Sequence, residues 1–224
     1  MTAWAVALGV LGALVGRQTG GILGTYGYRI DEDAPSGVPG RRWWPVVVLG
    51  GTWAVMTVRL VPAYGWPTTT VWLLLAWLGV ALTWIDLDVH RLPDGLVLPA
   101  YPAVLVLTLV AAIAGPAPWL RALACGAVCF ALFWLLAILP GGGMGGGDVK
   151  LAGLLGFALG WLGVVSVVVW FVVTFLVGGV VAVVLLVSGR TGAKGHFAFG
   201  PAMCFGALVA AGWAMDLLTA LVMA

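Results

Sequence analysis

Charge is the scarcest property of this sequence. Asp, Glu, Lys and Arg make up 8% of its 224 residues, where a soluble globular domain carries about 25%. So few charges cannot cover a water-facing surface, which excludes a soluble enzyme or binding module. The net charge of +2 is too small and too scattered for a nucleic-acid partner. Cysteine is also sparse. Cys125, Cys129 and Cys204 lie in apolar runs with no CxxC pair, and His90 and His196 stand apart, so neither a metal nor a cofactor is expected. Cys125 and Cys129, four residues apart on one helical face, read as small packing residues. The first sixteen residues lack the basic region and cleavage site of a secretory signal. They read as a first transmembrane helix kept in the mature protein.

What the chain has in excess is apolar length: 63% hydrophobic residues and a mean hydropathy of +1.15. The expected fold is an all-α polytopic membrane helix bundle of about eight transmembrane helices, forming a single domain over 1–224. The helices fall near 3–27, 43–61, 68–85, 95–114, 119–139, 149–160, 161–188 and 197–223. The count drops to seven if 149–160, short for a span, does not cross. Arg17, midway along the first helix, must face the bundle or a polar cavity, or snorkel. Gly16, Gly20 and Gly24 form a small-residue stripe that admits a close neighbour. Residues 28–42 are a short polar loop, and 62–67 and 115–118 are uncharged turns. Arg29, Arg41, Arg42, Arg91, Lys150, Arg190 and Lys194 fall on one side. Arg59 and Arg121 fall near the other. The basic loops are therefore expected in the cytoplasm, with both termini outside the plasma membrane.

Against that background, Met144 to Lys150 stands out as MGGGDVK, after the break Pro140 to Gly143. Asp148 sits there at the edge of an apolar segment. Asp86, Asp88 and Asp94 occupy the junction after the third expected helix, on the same expected face. Two carboxylates from separate helices at one membrane depth suit aspartyl hydrolysis. One, ionised, takes a proton from water; the other, protonated, polarises the substrate carbonyl. Mutual repulsion lets such a pair share one proton. Gly145, Gly146 and Gly147 leave room for an extended substrate backbone and permit positive φ. The 140–148 loop should line a cavity. Lys150 can hold the site's negative charge or touch lipid phosphate. The plainer readings are interfacial solvation for Asp88, Asp94 and Asp216, solvated histidines, and a simple flexible turn for the glycines. No GK[ST] follows them and no strand precedes them, so a phosphate loop is a poor fit. A proton- or cation-coupled transporter is the competing function, since intramembrane carboxylates serve either chemistry. Relay acids should lie in mid-membrane, however, and these lie at one face. A scaffold with a degenerate site is the third reading, which an intact acid pair opposes.

Three stretches resemble one family. Trp84 to Asp94, WIDLDVHRLPD, is similar to the first aspartate segment of type IV prepilin peptidases, and Gly145 to Lys150, GGGDVK, to their GxGDxK segment. Phe199-Gly200-Pro201 resembles the FGP stretch that opens their last helix. The order and spacing agree. The resemblance implies that Asp86 and Asp148 are the catalytic pair, with Asp88 the competing choice for the first aspartate. It implies cleavage of the basic leader of prepilins or pseudopilins after a glycine, at the cytoplasmic face and just before the apolar pilin helix. Many members carry a cysteine-bearing cytoplasmic domain between the first two helices and also N-methylate the new terminus. Here the 28–42 loop has no cysteine, so the resemblance supports peptidase activity and gives no ground for metal binding or methyl transfer. Asp31, Glu32 and Asp33 in that loop could attract a basic leader. Oligomeric state is not legible.

Overall fold

The structure is a computed structural model that describes residues 2–30, 33, 43–113, 118–139, 144–188 and 198–223. Seven α-helices occur among the described residues: α1 (Thr2–Leu23), α2 (Trp44–Val89), α3 (Asp94–Ala112), α4 (Trp119–Ile138), α5 (Gly146–Leu162), α6 (Val164–Val187) and α7 (Gly200–Met223). Six are long and apolar enough to cross a membrane, all except α5. The expected count of eight transmembrane helices is therefore corrected. The second and third expected helices are the two arms of α2, continuous through a break at Gly65, and the sixth, at 17 residues, falls short of a bilayer's hydrocarbon thickness. The turn expected at 115–118 and the 28–42 loop lie largely outside the described residues, as do Arg190 and Lys194.

Physical reasons for both departures are visible. A straight 46-residue helix would run roughly 70 Å, far more than a bilayer needs. Instead α2 breaks at Gly65, where φ is 76°, a conformation that glycine adopts without the Cβ penalty. The chain then folds back. The Trp53 indole N–H donates to the Leu73 carbonyl at 3.0 Å, and Trp44 stacks on Trp84 at 5.7 Å. Pro62 and Pro67 flank the break, each removing a helical donor. The expected turn at 62–67 is thus a helix break centred on one residue. The arm after it, 66–89, is buried along most of its length. α5 is apolar and buried on all sides from Leu151 to Leu162, the signature of an internal helix.

The chain divides into two compact units, Met1–Gly115 and Pro116–Ala224. In the first, α1 lies antiparallel to the first arm of α2. A Cβ on Gly12 would fall 2.8 Å from the Leu49 carbonyl oxygen, and one on Gly16 would collide with the Pro45 carbonyl. Of the expected stripe, Gly16 makes this close approach, which continues back to Gly12 and Gly9; Gly20 and Gly24 are buried. The Trp77 indole bonds Thr19 Oγ1 at 3.0 Å, tying α1 to the second arm as well. Arg17 is exposed, which leaves snorkelling as its route to water.

In the second unit, α4 and α5 form an antiparallel hairpin. Cβ atoms on Gly156 and Gly160 would fall 2.6 Å from Cys129 Cβ and 2.5 Å from Cys125 Cβ. The two cysteines are free and act as small packing residues, as their spacing suggested. Arg121, at the start of α4, donates to the carbonyls of Gly160 and Trp161 at 2.8 and 2.7 Å, satisfying acceptors left open at the α5 C-terminus. Trp170 of α6 bonds the Met203 carbonyl of α7 at 3.0 Å. Phe133 of α4 stacks on Trp170 at 5.6 Å.

Candidate active site

One end of the first unit gathers the polar residues. Trp84, Ile85 and Val89 form a buried cluster against Leu23, Tyr28, Trp44 and Leu96. It joins the end of α1, both ends of the α2 hairpin and the start of α3. Asp86 and Asp88 belong to the last turn of α2, and both are buried. His90 closes that turn with φ 51°, its N–H donating to the Asp86 carbonyl at 2.9 Å.

The two carboxylates have different surroundings. Asp88, with none of its surface exposed, is gripped from the segment after α1. Arg29 forms a two-pronged bond, Nε to Oδ2 and Nη2 to Oδ1, each at 2.7 Å. The Tyr28 hydroxyl donates to Oδ2 at 2.6 Å and accepts from the Trp84 indole at 3.2 Å. Burial and the bond to Asp88 push the Tyr28 hydroxyl pKa up, and the same carboxylate raises that of Arg29. Interfacial solvation for Asp88 is therefore replaced by a buried ion pair. Beyond His90, Arg91 donates to Asp33 Oδ2 at 2.9 Å and to the Tyr28 carbonyl at 3.3 Å. The Ile30 N–H and Arg91 hold the Asp33 carboxyl below its ordinary range. Asp33 is thus engaged within the fold, while Asp31 and Glu32 lie outside the described residues. Asp94 is exposed in the first turn of α3, as an interfacial acid should be.

In the second unit, Gly145 is the N-cap of α5, and Gly146, Gly147 and Asp148 form its first turn. The glycines are thus mostly helix rather than loop, and Gly145 has φ −76°, so positive φ is not their purpose here. Their bareness remains relevant: a side chain at Gly146 would meet nothing within 4 Å. Asp148 is half-buried and accepts from the Gly145 N–H at 3.2 Å. A carboxylate there complements the helix N-terminus. Burial nevertheless pushes its pKa up to about 6, partly opposed by the Gly145 N–H. Asp148 stands outside the six candidate spans, and Lys150 is half-buried one position beyond Val149. Pro140 to Gly143 lie outside the described residues.

Each candidate aspartate therefore ends the most buried helical stretch of its own unit: Asp86 closes the second arm of α2, and Asp148 opens α5. Among the described residues, no group of three His, Cys, Asp or Glu side chains is placed to hold a metal. Sequence reading missed the grip on Asp88. Nothing in the spacing of the acids signalled it, because Arg29 lies far from Asp88 in the chain.

The profile of the type IV leader peptidase family matches residues 72–186, a stretch that contains Asp86, Asp88, Asp94 and Asp148. A prepilin leader peptidase/N-methyltransferase of Neisseria gonorrhoeae is 39% identical over 158 residues, covering 67% of this chain and 49% of the relative. One of Aeromonas hydrophila is 34% identical over 173 residues, 76% of this chain and 58% of the relative. The chain thus spans about half to three fifths of the length of these relatives. No solved structure matches.

Proposed function

The chain belongs to the type IV leader peptidase family, and from that premise we propose that it is an intramembrane aspartyl endopeptidase with Asp86 and Asp148 as its catalytic pair. Its substrates are prepilin-like proteins, cut after a glycine that ends the basic leader, at the cytoplasmic face of the plasma membrane. The observation that carries this reading is the placement of the two acids. Each stands at the end of a deeply buried helix. Asp88, the other choice for the first position, is committed to Arg29 and Tyr28, which favours Asp86.

In this mechanism the ionised member of the pair draws a proton from a water as it attacks the scissile carbonyl. The protonated member donates to the carbonyl oxygen as it becomes tetrahedral. The raised pKa of Asp148, about 6, suits it to the protonated role. Collapse of the tetrahedral species breaks the C–N bond, and the protonated amine leaves at the head of the apolar pilin helix. The bare surface at Gly145 and Gly146 admits the extended leader backbone. The chain, as proposed, is a single peptidase domain over 1–224. Methyl transfer is left out, because the 28–42 segment has no cysteine and little room. Nothing favours the transporter alternative, whose acids should stand in mid-span rather than at helix ends.

Co-expression with a prepilin-like substrate tests the proposal. Asp86→Asn and Asp148→Asn should each abolish leader removal while the protein still accumulates in the membrane. Asparagine at 148 can still accept the Gly145 N–H, so the helix cap survives and only the acid is lost. Cleavage that persists in both variants would falsify the assignment.

A further inference from the structure

Building on the peptidase reading, we infer that Arg29, with Tyr28, is a positioning device that acts through Asp88 to hold Asp86. Asp86 and Asp88 share the last helical turn of α2, and helix ends fray. A reacting carboxylate on a fraying turn would be poorly placed, and a misplacement of about 1 Å can cost roughly a hundredfold in rate. The structure straps this turn from both sides. Before the cap, the Arg29 fork and the Tyr28 hydroxyl bind Asp88, two residues from Asp86. After the cap, Arg91 reaches back to the Tyr28 carbonyl and to Asp33. The same short segment therefore receives both straps.

Two further features mark the clasp as built. Tyr26 adopts φ 58°, a conformation that is costly for an aromatic residue and persists only when its surroundings enforce it. Its ring lies 3.9 Å beneath the Arg29 guanidinium, a cation–π contact that fixes the fork. Trp84, one turn earlier on α2, holds the Tyr28 hydroxyl in line. A planar bidentate fork orients a carboxylate in a way that a lysine ammonium, a single point charge, cannot. Asp88 is accordingly a positioning residue and not a catalytic one.

The test uses the full chain, purified in detergent micelles. The probe is a synthetic peptide with a short Lys/Arg leader, a glycine at the cut and an apolar helix of about 20 residues. Arg29→Ala and Asp88→Asn should each lower kcat tenfold or more per folded enzyme, with KM within twofold. The double variant should be no worse than either single one, because both remove the same constraint. Arg29→Lys should recover only part of the rate, and Tyr28→Phe should show a smaller loss in kcat. A rise in KM at unchanged kcat, or wild-type kcat in every folded variant, overturns the inference. Should Arg29→Ala fail to insert, Arg29→Lys and Tyr28→Phe decide: lowered kcat in both supports it, and wild-type kcat in both sinks it. Asp86→Asn, run alongside, separates the two readings. If it is dead while the clasp variants keep full kcat, only the positioning role fails. If it cleaves while Asp88→Asn does not, Asp88 is the catalytic group and the assignment of Asp86 fails with this inference.

Discussion

Asp88, two residues from Asp86 on one helical turn, takes its partners from a distant segment of the chain. Spacing in the sequence left Asp88 as a rival for the first catalytic position. It could not reveal that Arg29, 59 residues earlier, closes a fork on Asp88. Asp148 shows the same division. Its place after three glycines was legible, whereas its double role as helix cap and buried acid depends on how α5 is packed. With a pKa raised to about 6, the native protein retains a proton that the unfolded chain has already released above about pH 4. Stability should therefore fall as pH rises between roughly 4 and 6, and Asp148→Asn should flatten that slope in thermal melts. Approach of a second carboxylate pushes the upper pKa of the pair higher still. Leader cleavage should then decline with rising pH along a limb whose midpoint lies at or above about 6. A kcat/KM profile that stays flat from pH 5 to 8 would contradict proton donation by Asp148.

Glycine and arginine set the packing of the elements. Gly16 faces the Pro45 carbonyl with no room for a Cβ, so Gly16→Val should drive α1 off the first arm of α2. Overpacking of this kind costs about 1–3 kcal/mol, read as a lower melting temperature in detergent. Gly51→Ala, where a Cβ meets nothing within 4 Å, should be neutral or gain up to about 1 kcal/mol from helix propensity. Equal effects at the two positions would undo the account of the α1–α2 contact. Arg121→Ala should uncover the last carbonyls of α5 and lower stability by roughly 1 kcal/mol, without changing the KM for a leader peptide. The start of α4 at Trp119 was legible, because hydropathy begins where the Gly/Pro residues 115–118 stop. The two arms of α2 were legible as 43–61 and 68–85, but the break between them at the single residue Gly65, with φ 76°, was not.

At the scale of the whole molecule, orientation follows from the basic loops and is a proposal with a direct test. In a background with Cys125, Cys129 and Cys204 replaced by alanine, Trp66→Cys should react with a membrane-impermeant maleimide from outside intact cells. His90→Cys should react only after permeabilisation. The reverse pattern would turn Asp86 away from the cytoplasm and from any cytoplasmic leader. The sequence by itself determined that this chain lives in a membrane, is helical, and carries its unusual acids at helix ends. Those properties depend on composition and on residues within one turn of each other, so they survive without a fold. Only the tertiary structure decided that α2 doubles back, that α5 is buried on every side, and that Asp88 is held by Arg29 and Tyr28. Each of these depends on contacts between residues far apart in the chain, such as Trp53 with Leu73 or Arg29 with Asp88. Hydropathy, blind to partners, weighs every apolar helix alike.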